Sequence, residues 1–171
     1  MPRMSAPAAA NPESKPVLNF LRYWGPVLVW FALIFTASAD TKSAQHSSFF
    51  FAPLMRWLFP HLPPDTLDEC HHLFRKCCHL AEYAILGALF WRAIRQPVKG
   101  DPRPWNWAEA GLSLSGVFAY AATDEFHQIF VPTRTPAVTD VMIDTCGGAL
   151  SLLLLWLWTT KIRPAKPASA S

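Results

Sequence analysis

The sequence predicts an all-α polytopic membrane protein, with four transmembrane helices and an interfacial segment in the first outer loop. Three observations carry this. Hydrophobic residues fill 51% of the 171 positions and charged residues only 16%, with eight Trp and twelve Phe. That is too much apolar bulk and too little charge for an ordinary soluble domain. The apolar residues also gather into four blocks, each close to the roughly 17–25 residues that span a bilayer. Finally, the basic residues fall mostly on one side of an alternating set of connections. The length suits one domain or one small helical bundle.

The first block, Val17–Ala39, carries Arg22 near its start, where a long side chain can snorkel to the interface. Ala37-Ser38-Ala39 also fits a small-residue cleavage pattern, so a signal peptide competes with this reading. Three more blocks follow and the stretch before the apolar run is long for a leader, which favours an uncleaved first helix. The next segment, Ser48–Phe59, reads SFFFAPLMRWLF and is too short to span. It fits an interfacial or re-entrant segment on the outer face, closed by Pro60, Pro63 and Pro64, or else a lid packed over the bundle without lipid contact. Pro53 either breaks this segment or sits in its first helical turn.

The second block, His72–Ile94, is the weakest by hydropathy because Arg75, Lys76, His79 and Glu82 occupy its first half. Alone it would fit a buried soluble helix; its company and its apolar second half, Ala84–Trp91, favour a span. The third block, Glu109–Val131, follows a turn at Gly100–Pro104, with Trp105 and Trp107 as interfacial anchors. The fourth, Ala137–Trp158, is the clearest. The stiff connection Pro132–Pro136 makes the last two blocks antiparallel neighbours. Residues 1–16 and 161–171 are rich in Ala, Pro and Ser and read as disordered cytoplasmic tails around a 17–160 membrane domain.

Ten of the 15 Lys and Arg residues lie at the two ends of the chain and in the connection between the second and third blocks. They are Arg3, Lys15, Arg22, Arg92, Arg95, Lys99, Arg103, Lys161, Arg163 and Lys166. Their bias puts both termini in the cytoplasm. The net charge of +3 reflects this asymmetry, and nothing points to nucleic acid; the expected partner is the lipid bilayer. Cys70, Cys77, Cys78 and Cys146 show no zinc-like paired spacing and read as buried small apolar residues, Cys146 serving helix packing beside Gly147 and Gly148.

With the blocks alternating in direction, their polar ends fall on the outer side. The first ends at Ser38, Asp40 and Lys42, and the second begins with Lys76, His79, Glu82 and Tyr83. The third ends with Asp124, Glu125, His127 and Gln128, and the fourth begins with Asp140 and Asp144. Spacings of three and four residues put Lys76, His79 and Glu82–Tyr83 on one helical face, and do the same for Asp124 with Gln128 and for Asp140 with Asp144. Gly147 and Gly148 would allow close helix approach. The economical arrangement is a polar pocket between helices, opening outward. Such a network can also serve only to orient helices. Four carboxylates plus Glu82 outnumber the nearby cations Lys76 and Arg134, which favours a functional reading. His127 fits either the cluster or the outer interface.

These residues resemble those of the VanZ-like family of small bacterial membrane proteins. The resemblance rests on Lys76-x-x-His79-x-x-Glu82-Tyr83-x-x-Leu86, Asp124-Glu125-x-x-Gln128, Arg134, Asp140, Asp144 and Gly147–Gly148, and spans roughly Trp24 to Trp158. Asp144 departs from it, since the family more often carries Asn there, and Thr133-Arg134-Thr135 lacks the Gly common around that Arg. The resemblance implies a four-helix, multi-pass protein of the bacterial inner membrane. The family's founding member is associated with resistance to the glycopeptide antibiotic teicoplanin.

Three functions compete. In the first, the outward pocket binds or modifies an envelope lipid or glycolipid, such as a lipid-linked precursor. His79, Glu82, Asp124 and Asp140 would then be the acid–base candidates, and Lys76, Tyr83, Glu125, Gln128, Arg134 and Asp144 the binding residues. No Ser or Cys nucleophile motif is visible. No cofactor is implied, and although His79, Glu82, Asp124, Asp140 and Asp144 include metal-binding types, no compact metal motif supports a metal. The second function is a non-enzymatic accessory or binding protein. The third, a proton or ion conduit, is weakened by the near absence of polar residues in the cytoplasmic halves of the first, third and fourth blocks.

Overall fold

Each apolar block forms a helix, and the segment after the first forms one as well. The structure is a computed structural model and describes residues 14–39, 43–98, 101–131 and 137–162. In chain order the helices are α1 (Ser14–Ala39), α2 (Ser43–Leu58), α3 (Pro64–Arg95), α4 (Trp107–Gln128) and α5 (Val138–Leu157), followed by a π-helical turn at Trp158–Ile162. The segments Pro16–Ser38, Pro64–Arg95 and Val138–Lys161 are long and apolar enough to cross a membrane. Large apolar side chains such as Leu18, Leu21, Val29, Leu33, Leu153 and Leu154 point outward, while Ser113, Ser151, Asp124 and Asp144 are buried. This pattern suits helices solvated by acyl chains, where small and polar residues mediate helix contacts.

Several boundaries differ from expectation. α1 begins at Ser14, inside the expected tail, and the final helical turn carries Lys161. The rest of the expected tails lies outside the described residues, as do Asp40, Lys42, Lys99 and the connection 132–136. α3 begins about two turns before His72. The cause is Pro63-Pro64, read from sequence as the end of the outer segment. Pro63 is extended (φ −60°, ψ 148°) and Pro64 occupies the first turn, where a missing N–H costs nothing. Asp65 complements the helix dipole there, and Leu67 N–H donates to the Pro63 carbonyl at 3.0 Å. At 32 residues, α3 is about 48 Å long, well over a bilayer core of roughly 30 Å.

α2 is a continuous helix, and Pro53 lies in its interior rather than in a break or a first turn. It docks on α3 through Phe51, whose ring lies 5.3 Å from His71 and 5.0 Å from Phe74. Phe49 and Trp57 on the same helix are 74% and 77% exposed.

The core joins α1, α3 and α4 through Val27, Ile34, Tyr83, Leu86, Phe90, Val117 and Ala121. Phe31 stacks on Tyr120 at 4.0 Å and meets Phe90 edge-on at 5.7 Å. α5 enters through glycines. A Cβ on Gly87 would come within 2.6 Å of Ser151 Oγ and 2.9 Å of Gly148 Cα, one on Gly148 within 2.8 Å of Val117, and one on Gly147 would collide with the Leu80 carbonyl oxygen. The packing role expected of Gly147 and Gly148 is therefore met. The cysteines depart from expectation: Cys77 and Cys146 are exposed, with Cys146 turned away from the contact its glycine neighbours make.

The opposite end is closed by charge. Arg95, read from sequence only as a topology signal, is buried. It donates to Glu109 Oε2 at 2.9 Å and to the carbonyls of Arg103 (2.6 Å) and Pro104 (3.1 Å), with Asp101 Oδ2 3.4 Å from its Nε. Trp105, expected as an interfacial anchor, stacks on Trp91 at 5.6 Å, whereas Trp107 is exposed and meets the rings of Trp105 and Trp156 at 5.8 and 5.9 Å. Asp101 is held down to about 2, first by the Arg103 side-chain hydrogen bonds, then by the Arg103 backbone N–H and the charges of Arg103 and Arg95, against desolvation.

Two predictions follow from these ends. Gly147→Ala is expected to destabilise the protein by about 1–3 kcal/mol, because the obstacle is backbone. Gly111→Ala, with nothing within 4 Å of its Cβ, should be neutral or stabilising by up to about 1 kcal/mol; thermal unfolding in detergent compares the two. Asp101 has a folded pKa below its unfolded value of about 3.9, so its contribution is complete above that pH and lost as pH falls toward 2. The melting-temperature gap between wild type and Asp101→Asn should therefore hold from pH 7 to about 4 and close between 4 and 2.

Candidate functional site

α1 and α4 run in one direction and α3 and α5 in the other, so the polar ends of α1, α4 and α5 meet the polar middle of α3. Ser38 lies in the last turn of α1 and Asp124, Glu125 and Gln128 in the last turns of α4. Lys76–Tyr83 occupies the middle of α3, and Asp140 and Asp144 the first turns of α5. α5 reaches this position because Gly147 sits against Leu80, three residues before Tyr83.

Asp124 is the centre and is 4% exposed. The Ser38 hydroxyl donates to its Oδ2 at 2.6 Å, and Gln128 Nε2, one turn along α4, donates to the same oxygen at 3.2 Å. Among the described residues, Asp124 Oδ1 has no hydrogen-bond partner, and neither does the fully buried Tyr83 hydroxyl. Tyr83 is within electrostatic range of Asp124, Asp144 and Glu125, and Asp144 within range of His79, Asp124, Glu125 and Asp140. Glu125 has a second task. Its Oε2 accepts the Ala137 N–H at 2.9 Å, tying the end of α4 to the start of α5.

Nearer the surface the groups pair. Lys76 Nζ is 3.9 Å from Asp140 Oδ1, and His79 Nδ1 is 3.5 Å from Glu82 Oε2, an ion pair when the imidazole is protonated. These four side chains are 30–40% exposed. The site thus grades from a half-exposed rim to a buried floor of Asp124, Glu125, Asp144 and Tyr83.

The floor is supported by α1 and α4. Trp30 Nε1 donates to the Glu82 carbonyl at 2.9 Å, and the Tyr120 hydroxyl donates to the Phe31 carbonyl at 2.7 Å. His127 leaves the cluster: it is half-buried with its ring 4.5 Å from Phe35.

Of the residues singled out from sequence, His79, Glu82, Asp124, Asp140, Lys76, Tyr83, Glu125, Gln128 and Asp144 are all brought to this end. Arg134 lies outside the described residues. Sequence reasoning gave no site role to Ser38 or Tyr120. Both carried a signal: Ser38 continues the buried face of Val27 and Ile34, and Tyr120 precedes Asp124 by one turn. Among the described residues, no three His, Cys, Asp or Glu side chains stand as a metal-ligand group.

Chemically, the rim offers an imidazole–carboxylate pair suited to proton transfer. The floor offers carboxylate and phenol oxygens that accept hydrogen bonds from a ligand.

The VanZ/LLP1 family model matches residues 23–159. The chain belongs to the VanZ/LLP1 family. No curated protein and no solved structure matches it. The VanZ/LLP1 match begins at Tyr23, whose hydroxyl bonds the Pro97 carbonyl at 3.2 Å, and runs through the whole polar cluster. It therefore takes in both ends of this family member's bundle, the charge-closed end and the end that carries the site.

The Ser38–Asp124 bond can be weighed directly. Ser38→Ala should cost about 1–2 kcal/mol of thermal stability, and a double-mutant cycle with Asp124→Asn should show coupling of about 1 kcal/mol or more. Strictly additive effects would mean the bond contributes nothing.

Proposed function

We propose that this VanZ/LLP1 protein crosses the bacterial inner membrane four times with both termini in the cytoplasm, and that its polar cluster is an outward-facing pocket for the headgroup of a lipid-linked envelope precursor. α4, with 22 residues, is about 33 Å long and long enough to be the fourth span. α2, with its exposed Phe49 and Trp57, is read as lying in the outer interface.

The observation that carries the pocket is Asp124: buried, with one oxygen bonded to Ser38 and Gln128 and the other without a partner among the described residues. An unsatisfied buried carboxylate oxygen is costly unless a ligand or another group answers it. In this reading His79, Glu82, Asp124 and Asp140 move protons at the headgroup, while Lys76, Tyr83, Glu125, Gln128, Arg134 and Asp144 bind it. Modification of an envelope precursor would alter the target of a glycopeptide, consistent with the teicoplanin association of the family's founding member.

A second reading, a non-enzymatic binding or accessory protein, draws support from Ser38, whose short bond holds Asp124 as a structural network would. Asp124→Asn and His79→Ala, compared by envelope lipid profiling and teicoplanin susceptibility, separate the two. The enzyme predicts accumulation of one precursor in both variants, with turnover lowered about 100-fold or more. Unchanged lipids with shifted susceptibility would leave only the accessory protein.

A further inference from the structure

The floor of the cluster selects among ligand chemistries. It presents three neighbouring carboxylates, Asp124, Glu125 and Asp144, and among the described residues no Lys or Arg forms an ion pair with any of them; the described pairs are Lys76 with Asp140 and His79 with Glu82, both at the rim. Glu125 commits one oxygen to Ala137 N–H and Asp124 commits one to Ser38 and Gln128. Asp124 Oδ1 and the Tyr83 hydroxyl, each on a residue more than nine-tenths buried, have no partner among the described residues.

At the described floor an anion would meet the carboxylates of Asp124, Glu125 and Asp144, and like charges repel strongly at low dielectric. A quaternary ammonium carries the right charge but no donor. A primary ammonium carries a positive charge and three N–H donors with no acceptor.

We infer that the floor of the site takes a primary ammonium group, with its N–H donors directed to Asp124 Oδ1, the Tyr83 phenol oxygen and the Asp144 carboxylate. The inference rests on reading the cluster as a ligand site and names the chemistry that site accepts. Two sources offer this group: the headgroup of an ethanolamine-type lipid or a soluble amine. In the lipid, the headgroup phosphate would lie toward the rim, where Lys76 is only loosely held, 3.9 Å from Asp140.

The test uses the purified full-length protein in detergent, with binding followed by thermal stabilisation and Trp fluorescence. The ligands are short-chain phosphatidylethanolamine, phosphatidylcholine and phosphatidylglycerol, and, separately, methylammonium and tetramethylammonium. Phosphatidylethanolamine should bind about tenfold more tightly than phosphatidylcholine, since donors to charged groups are lost in the latter. Methylammonium should stabilise and tetramethylammonium should not. Asp124→Asn should abolish the preference; Tyr83→Phe and Asp144→Asn, checked for folding by circular dichroism, should each weaken it by about tenfold or less.

Equal, Asp124-dependent binding of all three lipids would overturn the ammonium inference and leave the lipid pocket standing. Asp124- and Tyr83-dependent binding of methylammonium, without response to any of the three lipids, would keep the ammonium site with a soluble source and overturn the ethanolamine-lipid source. No dependence on Asp124, Tyr83 or Asp144 for any ligand would overturn both.

Discussion

Gly147 of α5 lies so close to Leu80 of α3 that any side chain there would strike the Leu80 carbonyl, and Gly87 meets Gly148 nearly backbone to backbone. Helices in lipid gain little from burying apolar surface against each other, because acyl chains are as apolar as leucine. Close packing between small residues must supply the attraction, and here it also fixes register. A turn's displacement of α5 along α3 would move Asp144 by about 5.4 Å, changing its placement against His79 and Asp124, whose charges it now feels. The site's geometry is therefore inherited from a contact that contains none of its residues.

The polar end then faces a problem of its own. Buried carboxylates are tolerated only when hydrogen-bonded, paired or protonated. The protein meets this unevenly. Glu125 is tied into the helix junction and Asp124 is half-satisfied by Ser38 and Gln128, while the rim groups pair in view of solvent. Trp30 and Tyr120 bond backbone carbonyls of neighbouring helices and hold the walls without using site oxygens. Such division suits a preorganised site, in which support and binding are assigned to different side chains.

Much of this was legible in the chain. Long apolar runs interrupted at matched ends give both the helices and the meeting of Lys76–Tyr83, Asp124–Gln128 and Asp140–Asp144, because successive long helices joined by short connections alternate in direction. Helix starts were less legible. Pro63-Pro64 punctuates a sequence equally well as a stop or a start, and only backbone geometry shows it opening α3. Pro53 reads as a breaker or a first-turn residue, yet α2 continues through it. Ser38 has no legible role in the sequence, since a lone serine at an apolar helix end carries no pattern beyond its place on the buried face. The sulfur side chains Cys77 and Cys146 show the reverse: small apolar residues read as inward, yet both lie exposed on the outside of the bundle.

Arg95 carries one more consequence. In the sequence it counts with Arg92 and Arg103 among the charges that orient a chain as it enters a membrane, a choice made while the segment is still unfolded. In the folded protein its guanidinium has been withdrawn into a cage of Glu109, Asp101 and two carbonyls. On the proposed topology the same charge would act twice, first as an orienting signal during insertion and later as the internal counter-ion that the folded bundle holds. A surface-charge map of the finished bundle would miss the first role, and a count of basic residues would miss the second.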